Sequence, residues 1–460
     1  MTHKSALSRS DKRVLHLDPN DYYGDLEAAL NLEDADAWVA RQGGDGGSKL
    51  IANASTWTNS NANDAHGALR SARSYSLALA PQIIYTRSAL LSQLVSSRAY
   101  RQVEFLAVGS FFVYEQPVTG DQRGTLSRIP SSREDVFSTQ AIPARSKRSL
   151  MKFLKFVIEY DSEQQRPVWQ EHASEMLARF LEEQFKLDDS LRRYILALTL
   201  TLDGKITVRD GLAIIHRHLS SLGWFGPGFC AVYPKWGGGS EIAQVACRAG
   251  AVGGGIYMLD TGMEKLPVDD AQPDMMSLKL SNGTTVQTSA LVASQDEPAE
   301  GSLIIRRLVA VVDSTFANLF EVTVEGAPKP AVAVVSLAAL ESVSSLPVHM
   351  FVHSSDTGEC PSGQSKFCYP FRVCCYSITP PPVFRGTGVF HDDQTIKNSY
   401  LHCLSFALTR KIIVRPDRKP SLHNPQRSMD PDDMFHMLIN GFSQLRRRIS
   451  YHTCHSRCAE

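Results

Sequence analysis

The first stretch with residues that could do chemistry is "VLHLDPNDYYGD", residues 14–25. An apolar run ends there in Asp18, and a polar turn that carries Tyr22 and Tyr23 follows. In dinucleotide-binding folds, a strand ending in an acidic residue places a carboxylate on the adenosine ribose, downstream of a Gly-rich phosphate loop. Almost nothing lies upstream here. Asp18 is therefore either a ribose ligand, as in an FAD-dependent oxidoreductase, or a strand end that orders the turn.

Two glycine clusters, at 237–239 and 253–255, raise the question of a phosphate-binding loop. The "GGGSE" stretch lacks the Gly-x-x-x-x-Gly-Lys spacing that such a loop needs. We expect a tight turn that brings strands together. Weak anion binding stays open as the alternative, because "GSEIAQ" resembles a loop that enters a helix.

Catalytic and metal-binding constellations are poor. His216 and His218 are two residues apart on a predicted helix, so they point in different directions. The cluster "CHSRC" at 454–458 is too short to make a zinc site by itself. No Ser-His-Asp or Cys-His arrangement can be assembled with any specificity. We predict no catalytic residue, no metal and no cofactor.

Composition narrows the class of protein. The 460 residues carry 48 basic and 48 acidic side chains, so net charge gives no argument for a nucleic-acid partner. The first 30 residues hold no apolar segment typical of a secretory signal, and no apolar run reaches the roughly 18 residues of a membrane helix. Six of the nine cysteines lie beyond residue 364, which does not resemble a disulfide framework. These features predict a cytosolic protein.

The elements that must position these residues fall into an α/β pattern with a helical insertion. Residues 1–143 and 223–364 alternate strands and loops, with a flexible insertion at 42–67, and "VEFLAVGSFFVYE" (103–115) predicts two strands bent at Gly109. Residues 144–222 show helical periodicity, with one apolar stripe formed by Leu150, Phe153, Leu154, Val157 and Ile158. Residues 365–460 show no clear period and stay unassigned.

Four stretches resemble one superfamily, the Rab escort proteins and Rab GDP-dissociation inhibitors. They are "KRVLHLDPNDYYGD", "RIPSSREDVFSTQAIPARSKRSLMKFLKFVIEYD", "YPKWGGGSEIAQVACRAGAVGGGIYML" and "HSSDTGECPSGQ", and they are distributed along residues 8–364. Their order and spacing make the resemblance specific. The "SREDVF" turn that leads into "LMKFL" is similar to the escort branch.

The resemblance implies an FAD/NAD(P)-binding-like (GDI-like) sheet domain with an inserted α-helical domain. The family begins with a strand and a Gly-rich turn, and this chain starts after both, so we expect the N-terminal strand and Gly-rich loop to be missing. Ser240 is an extra residue before Glu241. A gene model that lost its first exon and read through a late intron would explain the start and the unassigned tail, and sequencing the transcript tests that hypothesis.

The resemblance also implies a surface that grips the switch regions of a GDP-bound Rab GTPase. Its residues in this chain would be Tyr23, Glu241, Arg248, Tyr257 and Met258. Aromatic and methionine anchors with a few placed charges suit such a surface. The structural alternative for Glu241 and Arg248 is a local ion pair on a surface loop, worth at most about 1 kcal/mol.

Within the helical domain, the resemblance implies two further sites. One is an apolar pocket for a geranylgeranyl chain, for which Leu150, Leu154 and Val157 are candidates. The other is a docking site for Rab geranylgeranyl transferase, with Phe156 and Arg166 as candidates. The structural alternative is an ordinary helical core, with Phe156 as a core aromatic.

The functional prediction is an escort protein with no catalytic activity of its own. It would bind GDP-bound Rab GTPases, present them to the heterodimeric transferase, and carry the prenylated product to membranes by transient contact from the cytoplasm. A Rab GDP-dissociation inhibitor is the closest alternative, and an FAD-dependent oxidoreductase is the alternative from another class.

Overall fold

The structure is a computed structural model. It describes residues 8–10, 12–43, 50–58, 69–115, 125–130, 133–138, 142–265, 275–292, 303–337, 347–372 and 400–410. The described strands are β1 (Leu15–Leu17), β2 (Ala29–Leu30), β3 (Ile51–Thr58), β4 (Leu77–Ala78), β5 (Ile84–Tyr85), β6 (Phe105–Glu115), β7 (Thr125–Arg128), β8 (Ala231–Pro234), β9 (Ile256–Met258), β10 (Met263–Lys265), β11 (Met276–Leu280), β12 (Thr285–Thr288), β13 (Leu303–Val312), β14 (Val332–Leu337), β15 (Val348–Ser354), β16 (Ser365–Arg372) and β17 (Tyr400–Arg410).

The described helices are α1 (Leu32–Gln42), α2 (Ala89–Ser96), α3 (Arg133–Ser138), α4 (Ala144–Ile158), α5 (Arg166–Gln170), α6 (Leu177–Phe185), α7 (Asp189–Ala197), α8 (Val208–Ser221) and α9 (Gly239–Val252). Five of them, α4 to α8, follow one another within the stretch that the sequence predicts as helical. This arrangement agrees with an α/β fold that carries a helical insertion.

Ten of the described strands form one mixed sheet. Its order is β3-β17-β13-β16-β15-β14-β6-β8-β5, with β7 paired to β6. The β6–β14 pair is parallel, and the other pairs in this sheet are antiparallel. Strand β14 lies inside this sheet and is buried along its whole length, as expected for a mostly apolar strand covered on both faces.

The remaining described strands form three smaller sheets. In the sheet that bears on function, β1 and β9 pair in parallel, and His16 lies opposite Tyr257 in the register. The others are the antiparallel pair β2–β4 and the antiparallel sheet β10-β11-β12. The β1–β9 pair thus joins the first stretch of the chain to the segment that follows α9.

The helical insertion is built from amphipathic helices with defined starts. Asp188 caps α7 by accepting a hydrogen bond from the Leu191 amide, and Thr207 caps α8 in the same way through the Asp210 amide. Helices α6 and α8 approach closely, since a Cβ built on Gly211 would lie 2.6 Å from Leu177 Cδ2. The buried faces of these helices share one core with the large sheet.

The structure differs from two local predictions and assigns strands to a region that the sequence left unassigned. Residues 51–58, predicted as flexible insertion, form edge strand β3, because pairing with β17 overrides their polar composition. Strand β6 is one continuous strand through Gly109, although its pairing with β14 shifts register there, and the absent side chain makes room for Pro330. Residues 365–372 and 400–410, left unassigned because their sequence shows no clear period, are strands β16 and β17 on either side of β13.

Candidate functional site

An aromatic cluster lies where β1 and β9 pair. The rings of Tyr23 and Tyr257 meet the His16 ring edge-on, with centroid distances of 5.2 Å and 5.1 Å, and lie 6.1 Å from each other. Burial raises the pKa of both tyrosines, so both hydroxyls stay protonated at neutral pH. The two predicted binding tyrosines, 234 positions apart in the chain, therefore share one surface.

A glycine of α9 makes room for this cluster. A Cβ built on Gly250 would lie 1.9 Å from the Tyr257 hydroxyl oxygen and 3.0 Å from Cζ. The tyrosine ring can rest on the helix only because residue 250 has no side chain. Sequence reasoning missed Gly250, although a glycine inside a helical pattern is the kind of signal that indicates a close packing partner.

Helix α9 carries both predicted charges. Glu241 and Arg248 are seven residues apart, which places them on the same side of the helix two turns from each other. The described residues include no ion pair between them. Burial raises the pKa of Glu241, while the more distant Arg248 lowers it. Both residues belong to a helix, with Glu241 half-buried and Arg248 exposed, so the structural alternative of a pair on a surface loop does not describe them.

The remaining residue of the predicted Rab-binding set, Met258, ends β9. It lies opposite Leu17 in the register and is half-buried. Its carbonyl oxygen accepts a 2.9 Å hydrogen bond from the Asp18 amide. All five predicted residues therefore belong to α9, to β9 or to the turn after β1.

Asp18 orders the turn that carries Tyr22 and Tyr23. Its Oδ1 accepts 3.0 Å hydrogen bonds from the backbone and the side-chain nitrogens of Asn20. The Tyr22 side chain is also held in place, because its hydroxyl accepts a 3.0 Å hydrogen bond from Trp38 Nε1. The carboxylate thus has the turn-ordering role that was one of the two predictions for it.

The glycines at 237–239 form the turn between β8 and α9, where strands were expected on both sides. A Cβ on Gly239 would lie 2.6 Å from Glu27 Oε2, so a carboxylate already occupies the start of the helix. A negative side chain there complements the helix dipole and repels a second anion. The extra Ser240 is accommodated inside the first turn, where its hydroxyl donates to Gly237 O.

A fully buried polar network lies beneath this turn. Glu359 accepts hydrogen bonds from Tyr233 at 2.8 Å and from Lys366 at 2.5 Å, and its other oxygen lies 2.5 Å from His353 Nδ1. Burial favours a neutral carboxyl group, but Lys366 and His353 outweigh it and lower the pKa of Glu359 to about 2. Sequence reasoning missed this network, because its members lie on β8, β15, β16 and the loop between the last two.

A cavity of about 480 Å³ lies where helices α4, α7 and α8 of the insertion face the preceding segment at Ile129, Pro130 and Val136. Leu150 and Leu154 are among its lining residues, whereas Val157 is not. Lys155, Ile158 and Glu159 also line it, and Ile158 is 61% exposed, which indicates the side that opens to solvent. The volume lies within the roughly 300–1,000 Å³ of small-molecule sites.

The predicted transferase contacts have contrasting environments. Phe156 is 6% exposed and packs against Phe180 and Phe185 in the core of the insertion, as its structural alternative supposed. Arg166 is partly exposed, and its Nε donates a 3.0 Å hydrogen bond to Asp161. Of these two residues, Arg166 is the one whose side chain is accessible to a partner.

The two histidines of α8 do not form a joint site. His218 is buried, with its Nδ1 3.7 Å from Cys230 Sγ, while His216 packs against the ring of Tyr160. Across the described ranges, no group of three or more potential metal ligands comes together. The "CHSRC" cluster lies outside the described residues. No helix in the described part of the chain is long and apolar enough to cross a bilayer.

The large mixed sheet with its helical insertion is the fold of Rab GDI. The crystal structure of RAB GDI from Plasmodium falciparum superposes with a TM-score of 0.60, at 16% identity, over 89% of this chain and 87% of that one. The sequence agrees: the model of the GDP dissociation inhibitor family matches residues 4–298. The chain belongs to the GDP dissociation inhibitor family.

Curated relatives point to one branch of that family. Rab proteins geranylgeranyltransferase component A from Saccharomyces cerevisiae is 29% identical over 366 residues, which cover 78% of this chain and 57% of the relative. The protein of the same name from Candida albicans is 27% identical over 371 residues, covering 78% and 56%. The chain thus spans a little over half the length of the curated relatives it matches.

Proposed function

We propose that this chain is an escort for newly made, GDP-bound Rab GTPases. The observation that carries the proposal is the pairing of two sites in one molecule: the aromatic and charged surface of α9 and β9, and the apolar cavity of about 480 Å³ in the helical insertion. The first would hold the GTPase, and the second would shield its geranylgeranyl chain. The relatives named as component A of the transferase support the same role.

The apolar lining of the cavity suits the burial of an isoprenoid chain. An isoprenoid removed from water gains about 0.8 kcal/mol for each buried CH₂ group. Leu150, Met151 and Leu154 supply an apolar wall from α4, and Leu198 and Leu219 supply another. Lys155 and Glu159 would remain near the polar end of the prenylated segment.

In this proposal the chain is a non-catalytic accessory that requires no cofactor. It presents the GTPase to the Rab geranylgeranyl transferase heterodimer, and delivers the product from the cytoplasm to membranes by transient contact. The reaction itself would take place on the transferase. The contribution of this chain is binding and orientation.

The second candidate is a Rab GDP-dissociation inhibitor that does not engage the transferase. The specific observation in its favour is the burial of Phe156, because a core aromatic cannot dock onto a second protein without rearrangement. The two candidates share the GTPase surface and the lipid cavity. They differ in whether a complex of three components forms.

A ternary-complex experiment separates the candidates. The purified full chain is mixed with GDP-loaded Rab GTPase and the transferase heterodimer, and complex mass and geranylgeranyl incorporation are measured. An escort forms the ternary complex and is required for incorporation. Binding of Rab–GDP without a ternary complex identifies an inhibitor, and absence of Rab binding rejects both candidates.

A further inference from the structure

Trp236 combines an unusual backbone conformation with an exposed side chain. Its φ of 78° places a bulky residue in the left-handed region, where residues other than glycine, asparagine and aspartate are uncommon. Its side chain is 53% exposed. Core packing does not explain the residue, because a glycine would adopt this turn without strain and without exposing an indole.

Several contacts hold Trp236 in this conformation. Its amide donates a 2.9 Å hydrogen bond to Thr357 O, and its ring lies so close to Gly358 that a Cβ there would be 2.3 Å from Cε3. Lys235 Nζ lies 4.7 Å from the ring centroid and pairs with Glu104 at 3.1 Å. The ring is therefore held by its backbone, by one neighbouring loop and by a cation.

The buried network stabilises the same turn from below. Tyr233, which donates to Glu359, packs under the turn so closely that a Cβ on Gly238 would lie 2.5 Å from its hydroxyl oxygen. Glu359 directly follows Gly358, the residue that the Trp236 ring contacts. The network thus holds the residues on both sides of the contact, and the indole is presented to solvent from a turn that is packed against Tyr233 and Gly358.

Trp236 also continues the candidate binding surface. It lies five residues before Glu241, at the turn that leads into α9. Tryptophan combines a large apolar area with a single N–H donor, and it is enriched among residues that dominate binding energy. Strain in a residue that surrounding contacts hold in place is typical of functional sites.

We propose that Trp236 is an anchor by which this chain binds the GDP-bound Rab GTPase. This inference rests on the proposed function and extends the surface of α9 and β9 past the start of the helix. The complementary patch on the GTPase would be an apolar depression with a carbonyl or carboxylate oxygen at its rim to accept the indole N–H. Preorganisation by the buried network lowers the ordering cost of binding.

The test substitution is Trp236→Gly in the full chain. Glycine removes the indole and relieves the left-handed backbone, so folding stability should hold while affinity falls. The matched control is Trp57→Ala, since Trp57 is 51% exposed and lies on β3 at the opposite end of the sheet. Dissociation constants for GDP-loaded Rab GTPase and thermal melts are measured for both variants and the wild type.

We expect Trp236→Gly to weaken binding by about tenfold or more, with an unchanged melting temperature, and Trp57→Ala to bind like the wild type. Trp236→Phe should restore part of the lost affinity. If the wild type binds and Trp236→Gly binds equally well, the inference is overturned while the proposed function stands. If the wild type does not bind, the proposed function fails and the inference fails with it.

Discussion

At the scale of single residues, the candidate surface depends on glycines as much as on the aromatic residues that pack against them. Tyr257 reaches its place beside Tyr23 and His16 because Gly250 leaves the helix surface bare. The same is true of Gly358 beneath Trp236. These glycines set the orientation of the aromatic rings, and they make the geometry of the surface testable by adding a single methyl group.

The substitution Gly250→Ala should lower the affinity for GDP-loaded Rab GTPase without lowering helix stability. Alanine favours a helix over glycine by about 1 kcal/mol, but its Cβ would overlap the Tyr257 hydroxyl and displace the ring. Calorimetric titration measures the loss of affinity. The double variant Gly250→Ala, Tyr257→Phe removes the overlapping oxygen and should recover part of it. If the double variant instead loses as much affinity as the two single variants combined, the contact between residues 250 and 257 does not set the ring position.

Two buried histidines predict how stability depends on pH. Burial lowers the pKa of His218 and of His349 to about 4, although the hydrogen bond between His349 Nε2 and Thr201 O opposes this shift in His349. The ordinary pKa of histidine is near 6.5, so only the unfolded chain takes up protons between these values. Stability is therefore full above pH 6.5 and falls as the pH drops toward 4, by roughly 1.4 kcal/mol per pH unit for each histidine.

Urea denaturation at several pH values measures that loss. His218→Leu removes the titration of His218 and should make the pH dependence shallower between pH 6.5 and 4. Identical slopes for this variant and the wild type would contradict the assignment of the shift to His218. His218 also lines the cavity, so the free energy is compared without lipid present.

At the scale of elements, the helical insertion combines a dense core with a cavity. Phe153 and Val157 of α4 face the core and are completely buried, whereas Leu150 and Leu154 of the same helix line the cavity. One apolar stripe therefore serves both purposes. Helical periodicity predicts the stripe, but it does not separate its two faces, because that division depends on where α7 and α8 pack.

The substitution Leu154→Trp should fill part of the cavity and reduce binding of a prenylated Rab GTPase. Because the cavity is open on one side, the larger ring should be tolerated with a small loss of stability. Binding of unprenylated Rab–GDP should not change, since that surface lies on α9 and β9. Arg148→Trp is the matched control, because Arg148 is an exposed residue of the same helix outside the cavity lining. Equal loss of prenylated and unprenylated binding would place the lipid elsewhere.

The local sequence pattern predicts those helices and turns that are determined by their own residues rather than by distant pairing partners. The spacing of apolar residues predicts the amphipathic helices of 144–221, and the position of Asp18 before a turn predicts its turn-ordering role. The strands β3, β16 and β17 are missed, because their partners lie far away in the chain and pairing supplies what local propensity does not. For the same reason no local signal brings together Tyr233, His353, Glu359 and Lys366.

At the scale of the whole molecule, the large sheet is assembled from distant segments. Strand β13 lies between β16 and β17, and β16 also pairs with β15. Lys366 of β16 supplies the cation that keeps Glu359 charged in the interior. Removing one partner of a buried ion pair costs about 3–5 kcal/mol, because the other charge stays buried and unpaired. Strand β16 therefore contributes both sheet pairing and charge compensation.

A pair of truncated chains tests how far the fold depends on β16. Chains that end at residue 372 and at residue 364 both lack β17, and they differ only in the eight residues of β16. The longer chain should retain a cooperative thermal transition. The shorter one should lose it or melt well below the longer one, because β13 and β15 lose their shared neighbour and Glu359 loses its cation. The single substitution Lys366→Met in the full chain separates these causes, since it keeps the strand and removes only the charge. Equal melting of the two truncated chains would show that β16 is dispensable for the fold.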